Sequence, residues 1–175
     1  MRMRLGKTYN PSSKMSAQNY WHYTIGYEKL SQDEFIAILC HHGVRVLIDS
    51  RWSPFSYRPE FRGSILARAC ATVGIEYRHL PELGIPKDVR QSNDGQSAFA
   101  WYSKHLNGIN FDDLSSVLLT PKSAIMCYEA DPSQCHRTIL AKKLQNTYCR
   151  QWRELRAVPS DSQDLPHTST GLGKA

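Results

Sequence analysis

Short apolar runs and helical stripes alternate along this chain, each closed by a turn residue. WHYTIGY, from Trp21 to Tyr27, is aromatic and β-branched and predicts a first strand. Ser31 and Glu34 form an S-x-x-E capping box, and Phe35, Ile38, Leu39 and His42 follow at helical spacing up to Gly43. VRVLIDS, from Val44 to Ser50, is nearly continuously apolar, as a strand covered on both faces should be. A second stripe of Ile65, Leu66, Ala69 and Val73 runs to Gly74, and IEYRHL, from Ile75 to Leu80, predicts a third strand. A long connection from Pro81 to about Ser97 reads as a lid or binding loop. Helices are expected over Ala98 to Leu106 and from Asn110 as cap to about Leu118, with Pro121 as breaker. Ser123 to Glu129 predicts a fourth strand. A last helix is expected with Asp131 as N-cap, Pro132 in its first position and Gln134 closing a D-x-x-Q box. Trp152 to Val158 is a candidate fifth strand.

Strands alternating with helices predict an α/β fold. The expected architecture is a three-layer sandwich with a mostly parallel four- to five-stranded sheet, Rossmann- or flavodoxin-like, and right-handed crossovers. Residues 20–158 would form this single domain. Residues 1–19 are polar and basic, with Arg2, Arg4, Lys7 and Lys14 and no acid, and are expected to be a disordered arm. Residues 159–175 are expected to be a disordered tail.

Composition narrows the class. No apolar run approaches the about 18 residues of a membrane span, and no apolar segment follows the basic N-terminus to make a secretory signal. Five cysteines, an odd count without a CxxC, read as reduced thiols of a cytoplasmic protein. A net charge of +6 tolerates anionic partners without demanding nucleic acid. No GxGxxG, Walker loop or HExxH occurs, which argues against the usual nucleotide cofactors. No cofactor is expected, and composition sets no oligomeric state.

In a parallel sheet the residues just past each strand gather at one rim, where open α/β folds place their sites. That rule collects Tyr27 and Glu28, then Asp49 and Arg51, then His79 and Glu82, then Cys127 and Glu129. The last helix adds Cys135, His136 and Arg137, whose spacing to Leu140 and Leu144 turns them toward the core side of its first turns. Asp49 and Glu129 are candidate acid/base groups or nucleophiles, assisted by Cys135 or His136. Arg51 and Arg137 could hold an anion at the helix N-terminus. Gly26, Tyr27, His79, Glu82 and Cys127 complete the candidate binding set. Cys127, Cys135 and His136 would need a further ligand, such as His79, to hold zinc, and their spacing fits no zinc pattern. No metal is therefore expected. The loop WSPFSYRPEFR, Trp52 to Arg62, interleaves aromatics with arginine. It could stack single-stranded bases, or its aromatics could anchor it beneath the following helix.

Four segments carry a resemblance: TIGYE (24–28), LIDSR (47–51), YRHLPELG (77–84) and CYEADPSQCHR (127–137). In this order they resemble the bacterial and archaeal domain of unknown function 488 family, over roughly Tyr23 to Leu144. The resemblance implies a small cytosolic α/β domain and brings no reaction with it. Gly26, Asp49, Arg51, Pro81, Glu82, Leu83, Gly84, Cys127, Glu129, Cys135, His136 and Arg137 match its motif positions.

Three functions are therefore expected, in order. The first is an enzyme acting on a phosphorylated or nucleotide- or nucleic-acid-related substrate in a pocket at the C-terminal rim. The second is a non-catalytic module that binds nucleic acid through the basic arm and the aromatic loop. The third is a thiol or metal sensor.

Overall fold

A computed structural model describes residues 21–92 and 95–156. The expected arm and tail lie outside the described residues. Five strands, β1 (His22–Gly26), β2 (Val46–Asp49), β3 (Glu76–His79), β4 (Ser123–Cys127) and β5 (Trp152–Glu154), form one sheet in the order β3-β2-β4-β1-β5. Every pairing is parallel. The helices are α1 (Gln32–His41), α2 (Gly63–Thr72), α3 (Lys87–Ser92), α4 (Gly95–Asn107), α5 (Phe111–Leu118) and α6 (His136–Tyr148). This is the expected three-layer α/β sandwich. No helix among the described residues is long and apolar enough to cross a membrane.

The strand pleat divides the core in two. Tyr23, Ile25, Leu47, Ala124 and Met126 pack against Phe35, Ile38 and Leu39 of α1 and Leu66 and Cys70 of α2. Val46, Ile48 and Ile125 face the other way, onto Tyr102 and Leu106 of α4, Phe111 and Leu118 of α5, and Leu140 and Leu144 of α6. β2 and β4 are buried along their length because both of their faces are covered. The edge strand β3 exposes Glu76 and Arg78, charges that discourage further pairing.

The order of connections positions the site. After β1 and β2 the chain turns to the α1 and α2 face. After β4 it turns to α6 on the opposite face. β4 lies between β2 and β1, so a crevice opens at its C-terminal end, at the reversal point where such sheets bind ligands.

Local signals worked where side chains dictate the backbone. Ser31 and Glu34 form the expected capping box, and Asn110 caps α5. Two expectations need correction. The connection after β3 is not structureless: it holds a 3-10 turn at Pro81–Leu83 and then α3. Pro81 opens the first and Pro86 directly precedes the second, both pre-set for helical φ. The sequence KDVRQS has one apolar position, so no stripe announces α3. The last helix does not start at Asp131. Asp131 caps a separate 3-10 turn, Pro132–Gln134, while Cys135 has extended backbone and is the N-cap of α6. Adjacent residues on a continuous helix point about 100° apart. The break lets both Cys135 and His136 turn inward.

At the opposite end of the sheet, His22 is buried. Its Nδ1–H donates to Ser123 Oγ at 2.9 Å, whose own hydroxyl donates to the Leu118 carbonyl. Burial, aided by the nearby charge of Arg150, lowers its pKa from 6.5 to about 4. The unfolded chain binds this proton near pH 6.5 and the fold resists it, so this contribution is complete above that pH and declines as pH falls toward about 4. Urea midpoints measured between about pH 7 and about pH 4.5 should fall on acidification. His22→Gln should flatten part of that fall.

Candidate functional site

The site starts from the last residue of β4. The pleat points Cys127 to the α4–α6 face, since Met126 before it packs on the other. Tyr128 to Asp131 then fold back over β1. Gly26 makes this approach feasible: a Cβ there would lie 1.8 Å from the Glu129 carbonyl oxygen. Arg137, fully buried, fastens the loop from below. Its Nη1 donates to the Glu129 carbonyl at 2.5 Å and its Nη2 to the Ala130 carbonyl at 3.2 Å. Nε and Nη2 also donate to Glu154 on β5, at 3.3 and 2.8 Å. The Glu28 carboxylate accepts from the Ala130 N–H at 2.9 Å. With its backbone fixed, Glu129 turns its carboxylate back onto Cys127, whose S–H donates to Oε2 at 3.1 Å.

His136 enters from the first turn of α6. Its Nε2 lies 3.2 Å from the Ser50 carbonyl. A carbonyl only accepts, so Nε2 is the donor there, and in the neutral ring Nδ1 is then the lone-pair acceptor. That lone pair faces Cys127 Sγ at 3.6 Å. Ser50 is fixed in turn, donating through both N–H and Oγ to the Met126 carbonyl. Tyr102 of α4 sets its ring edge-on to His136, centroids 5.0 Å apart, and donates to the Leu83 carbonyl. Cys135 lies beside them and accepts from the Arg137 N–H at 3.5 Å. One donor atom from each of Cys127, Glu129, Cys135 and His136 lies within 4.8 Å of every other.

Burial sets the electrostatics. It acts to raise the carboxyl of Glu129, but hydrogen bonds from Cys135 and Cys127 outweigh it and hold the group below its ordinary value. Burial and the hydrogen bond to Cys127 push the Cys135 thiol far up. Burial likewise raises Tyr102 well above a normal phenol.

Asp49, Arg51 and Tyr27 gather on the opposite face. Asp49 is fully buried and accepts from Arg51 through both oxygens, Nε to Oδ1 at 2.8 Å and Nη2 to Oδ2 at 2.5 Å. Tyr77 donates to the same carboxylate at 2.5 Å. Arg51 Nη1 donates to the Tyr27 hydroxyl at 2.8 Å, and Tyr27 stacks on Phe61. His79 Nε2 donates to the Arg51 carbonyl at 2.8 Å, away from the cysteines. Glu82 takes part through its carbonyl, which accepts from His105. Asp49 and Cys127 therefore share a rim but not a pocket. The pleat places Leu47 with Asp49 on one side and Ile125 with Cys127 on the other. Every guanidinium nitrogen of Arg51 and Arg137 already donates within the protein.

The family model described as Domain of unknown function DUF488 matches residues 31–144. The chain belongs to the DUF488 family. No curated protein and no solved structure matches it. The matched DUF488 span holds Asp49 through Arg137, including all four clustered donors. Gly26 precedes it and Glu154 follows it, so both groups that seat the 129–130 loop from β1 and β5 lie beyond the match.

Sequence reasoning missed Ser50, Tyr102 and Glu154. Ser50 acts through its carbonyl, which any residue could supply. Tyr102 sits on a helix read only as packing. Glu154 lies on a three-residue strand without a usable period.

Gly26→Ala should destabilise the protein by roughly 2–4 kcal/mol, because backbone rather than a flexible side chain must move. Urea denaturation measures the loss. An aromatic disulfide reagent should label Cys127 and Cys135 faster in the folded variant than in the parent.

Proposed function

We propose that this DUF488 domain is an enzyme whose reaction centre is the convergence of Cys127, Glu129, Cys135 and His136 at the β4 crevice. The observation that carries this reading is their placement within 4.8 Å of one another at the sheet's reversal point. Packing alone does not call for two thiols, a carboxylate and an oriented imidazole in one spot. His136, in its neutral form, offers a nitrogen of fixed tautomer, and Glu129 a carboxylate held ionised, so both suit proton transfer. Cys127 lies between them as the sulfur group in reach of either. Asp49, Arg51 and Arg137 serve in this reading as positioning residues, because their polar atoms are engaged with each other, with backbone and with Glu154.

The positive net charge agrees with a phosphorylated or nucleotide-related substrate. Neither Arg51 nor Arg137 is free to bind it, so the contacts would come from the rim loops. Incubation with a library of phosphorylated and nucleotide compounds, read by mass spectrometry, tests the proposal. Glu129→Gln and His136→Asn should each lower turnover about 100-fold or more while urea midpoints stay near the parent's. Turnover that is equal in parent and both variants would show that the chemistry lies elsewhere.

A second reading has its own support. Trp52, Phe55, Tyr57 and Tyr128 are four of the five exposed large hydrophobic side chains among the described residues, and all lie on rim loops. Tyr57 is 93% exposed, and Arg62 sits over the Phe55 ring. Such a surface suits stacked bases. Binding of single-stranded DNA that weakens with salt, drops with Phe55→Ala and Tyr57→Ala, and survives Glu129→Gln would favour a nucleic-acid-binding module.

A further inference from the structure

The geometry points to a divalent transition-metal site, of the zinc class, made by Cys127, Glu129, Cys135 and His136. It concerns the side chains of the proposed reaction centre and needs their convergence, not turnover.

The donor set selects the ion. Two sulfurs, one imidazole nitrogen and one carboxylate oxygen suit a borderline-soft cation, whereas magnesium and calcium favour oxygen alone. The spacing agrees. Zinc bonds of about 2.3 Å to sulfur and about 2.0–2.1 Å to nitrogen, at a tetrahedral angle, set S and N about 3.6 Å apart. Cys127 Sγ and His136 Nδ1 are 3.6 Å apart. Sulfur and carboxylate oxygen would also sit about 3.6 Å apart, so the 3.1 Å between Cys127 and Glu129 would open slightly.

The surroundings carry the argument beyond a chance cluster. His136 donates its other nitrogen to the Ser50 carbonyl, the outer hydrogen bond that fixes a metal-binding tautomer and aims Nδ1 inward. Cys127, Cys135 and His136 are buried and come from a strand end and a helix start rather than from mobile loop. Two thiolates and a carboxylate would carry three negative charges. The bordering guanidinium, Arg137, is already paired with Glu154. A divalent cation would supply the counter-charge as it displaces the thiol protons. The sequence spacing fits no standard zinc pattern, and the fourth donor is Glu129, from the turn between the other ligands, rather than His79. In the loaded protein all four side chains are ligands and the coordination is closed, so proton transfer by Glu129 and His136 belongs to the metal-free chain.

The test uses the full chain, stripped with a chelator and titrated with Co(II) and Zn(II). One ion per chain is expected. Cobalt should give sulfur-to-metal charge-transfer absorption in the near ultraviolet and strong tetrahedral bands in the visible, and zinc should displace it. Cys127→Ser and Cys135→Ser should each remove part of the charge-transfer band. Each should weaken binding by about 100-fold or more, beyond the about 10–100-fold cost of losing an outer hydrogen-bond partner. Cys40→Ser and Cys149→Ser, at exposed thiols, should leave the spectrum unchanged. Absence of the charge-transfer band in the unmutated chain overturns the inference without recourse to any variant. So does a band that survives loss of both Cys127 and Cys135. Full turnover by stripped protein that binds no cobalt would overturn the metal and leave the enzyme reading. Stoichiometric cobalt on the expected cysteines, with no turnover of any compound, would do the reverse.

Discussion

The rim depends on one buried guanidinium. Arg137 has no solvent exposure, yet it joins three parts of the chain: the carbonyls of Glu129 and Ala130 after β4, the carboxylate of Glu154 on β5, and its own place on α6. Removing one partner from a buried charge pair costs about 3–5 kcal/mol. The geometric cost would be as important. Without this clamp the Glu129 carbonyl loses its donor beside Gly26, and the hydrogen bond from Ala130 N–H to Glu28 is left to seat the loop that turns the carboxylate toward Cys127. The short edge strand β5 gains from the same contacts, since Glu154 also accepts from the Thr24 hydroxyl of β1. An arginine suited by type to bind an anion is used here to shape the site.

The second clamp is built alike and faces the other way. Asp49, Arg51, Tyr77 and Tyr27 form a network in which the carboxylate is met by a guanidinium fork and a phenol. It ties β2, β3 and the Trp52–Arg62 loop beneath α2. Phe61 is fully buried in that loop and stacks on Tyr27, while Phe55 and Tyr57 are exposed. The loop is thus anchored by one of its aromatics while others are exposed.

Much of this was readable from residue types. Continuous apolar runs marked β2 and β4 as central, and the parallel order brought Asp49, Glu129 and Arg137 to one rim. Alternation along the strands also contained the division into two faces: Leu47 and Asp49 share a parity, and Ile125 and Cys127 share another. A rule that gathers strand ends says nothing of parity, so the two clusters merge on paper. The start of α6 was hidden for a different reason. Asp131-Pro132 is a good helix opening, and local preference cannot tell a helix from a single 3-10 turn followed by an extended cysteine. Tertiary packing of Cys135 against Cys127 decides between them. Glu154 and the Ser50 carbonyl were beyond reach, one on a strand too short for a pattern and the other a backbone group without a residue signature.

The two clusters differ in a way that separates scaffold from candidate chemistry. Around Asp49, charge and hydrogen bonds close: each carboxylate oxygen has donors, and every guanidinium nitrogen has an acceptor. A buried network completed in this way gives rigidity and leaves little for a ligand to add. Around Cys127 the account stays open. Sulfur, carboxylate and a bare imidazole nitrogen are all lone-pair carriers, and the S–H protons are the donors that the cluster itself brings to its centre. Burial makes such a convergence costly unless something electron-poor can enter it, whether a proton, a metal ion or a substrate's electrophilic atom. The imbalance between two equally buried clusters, back to back across β2 and β4, is the physical reason to look for chemistry on the α6 side of the sheet.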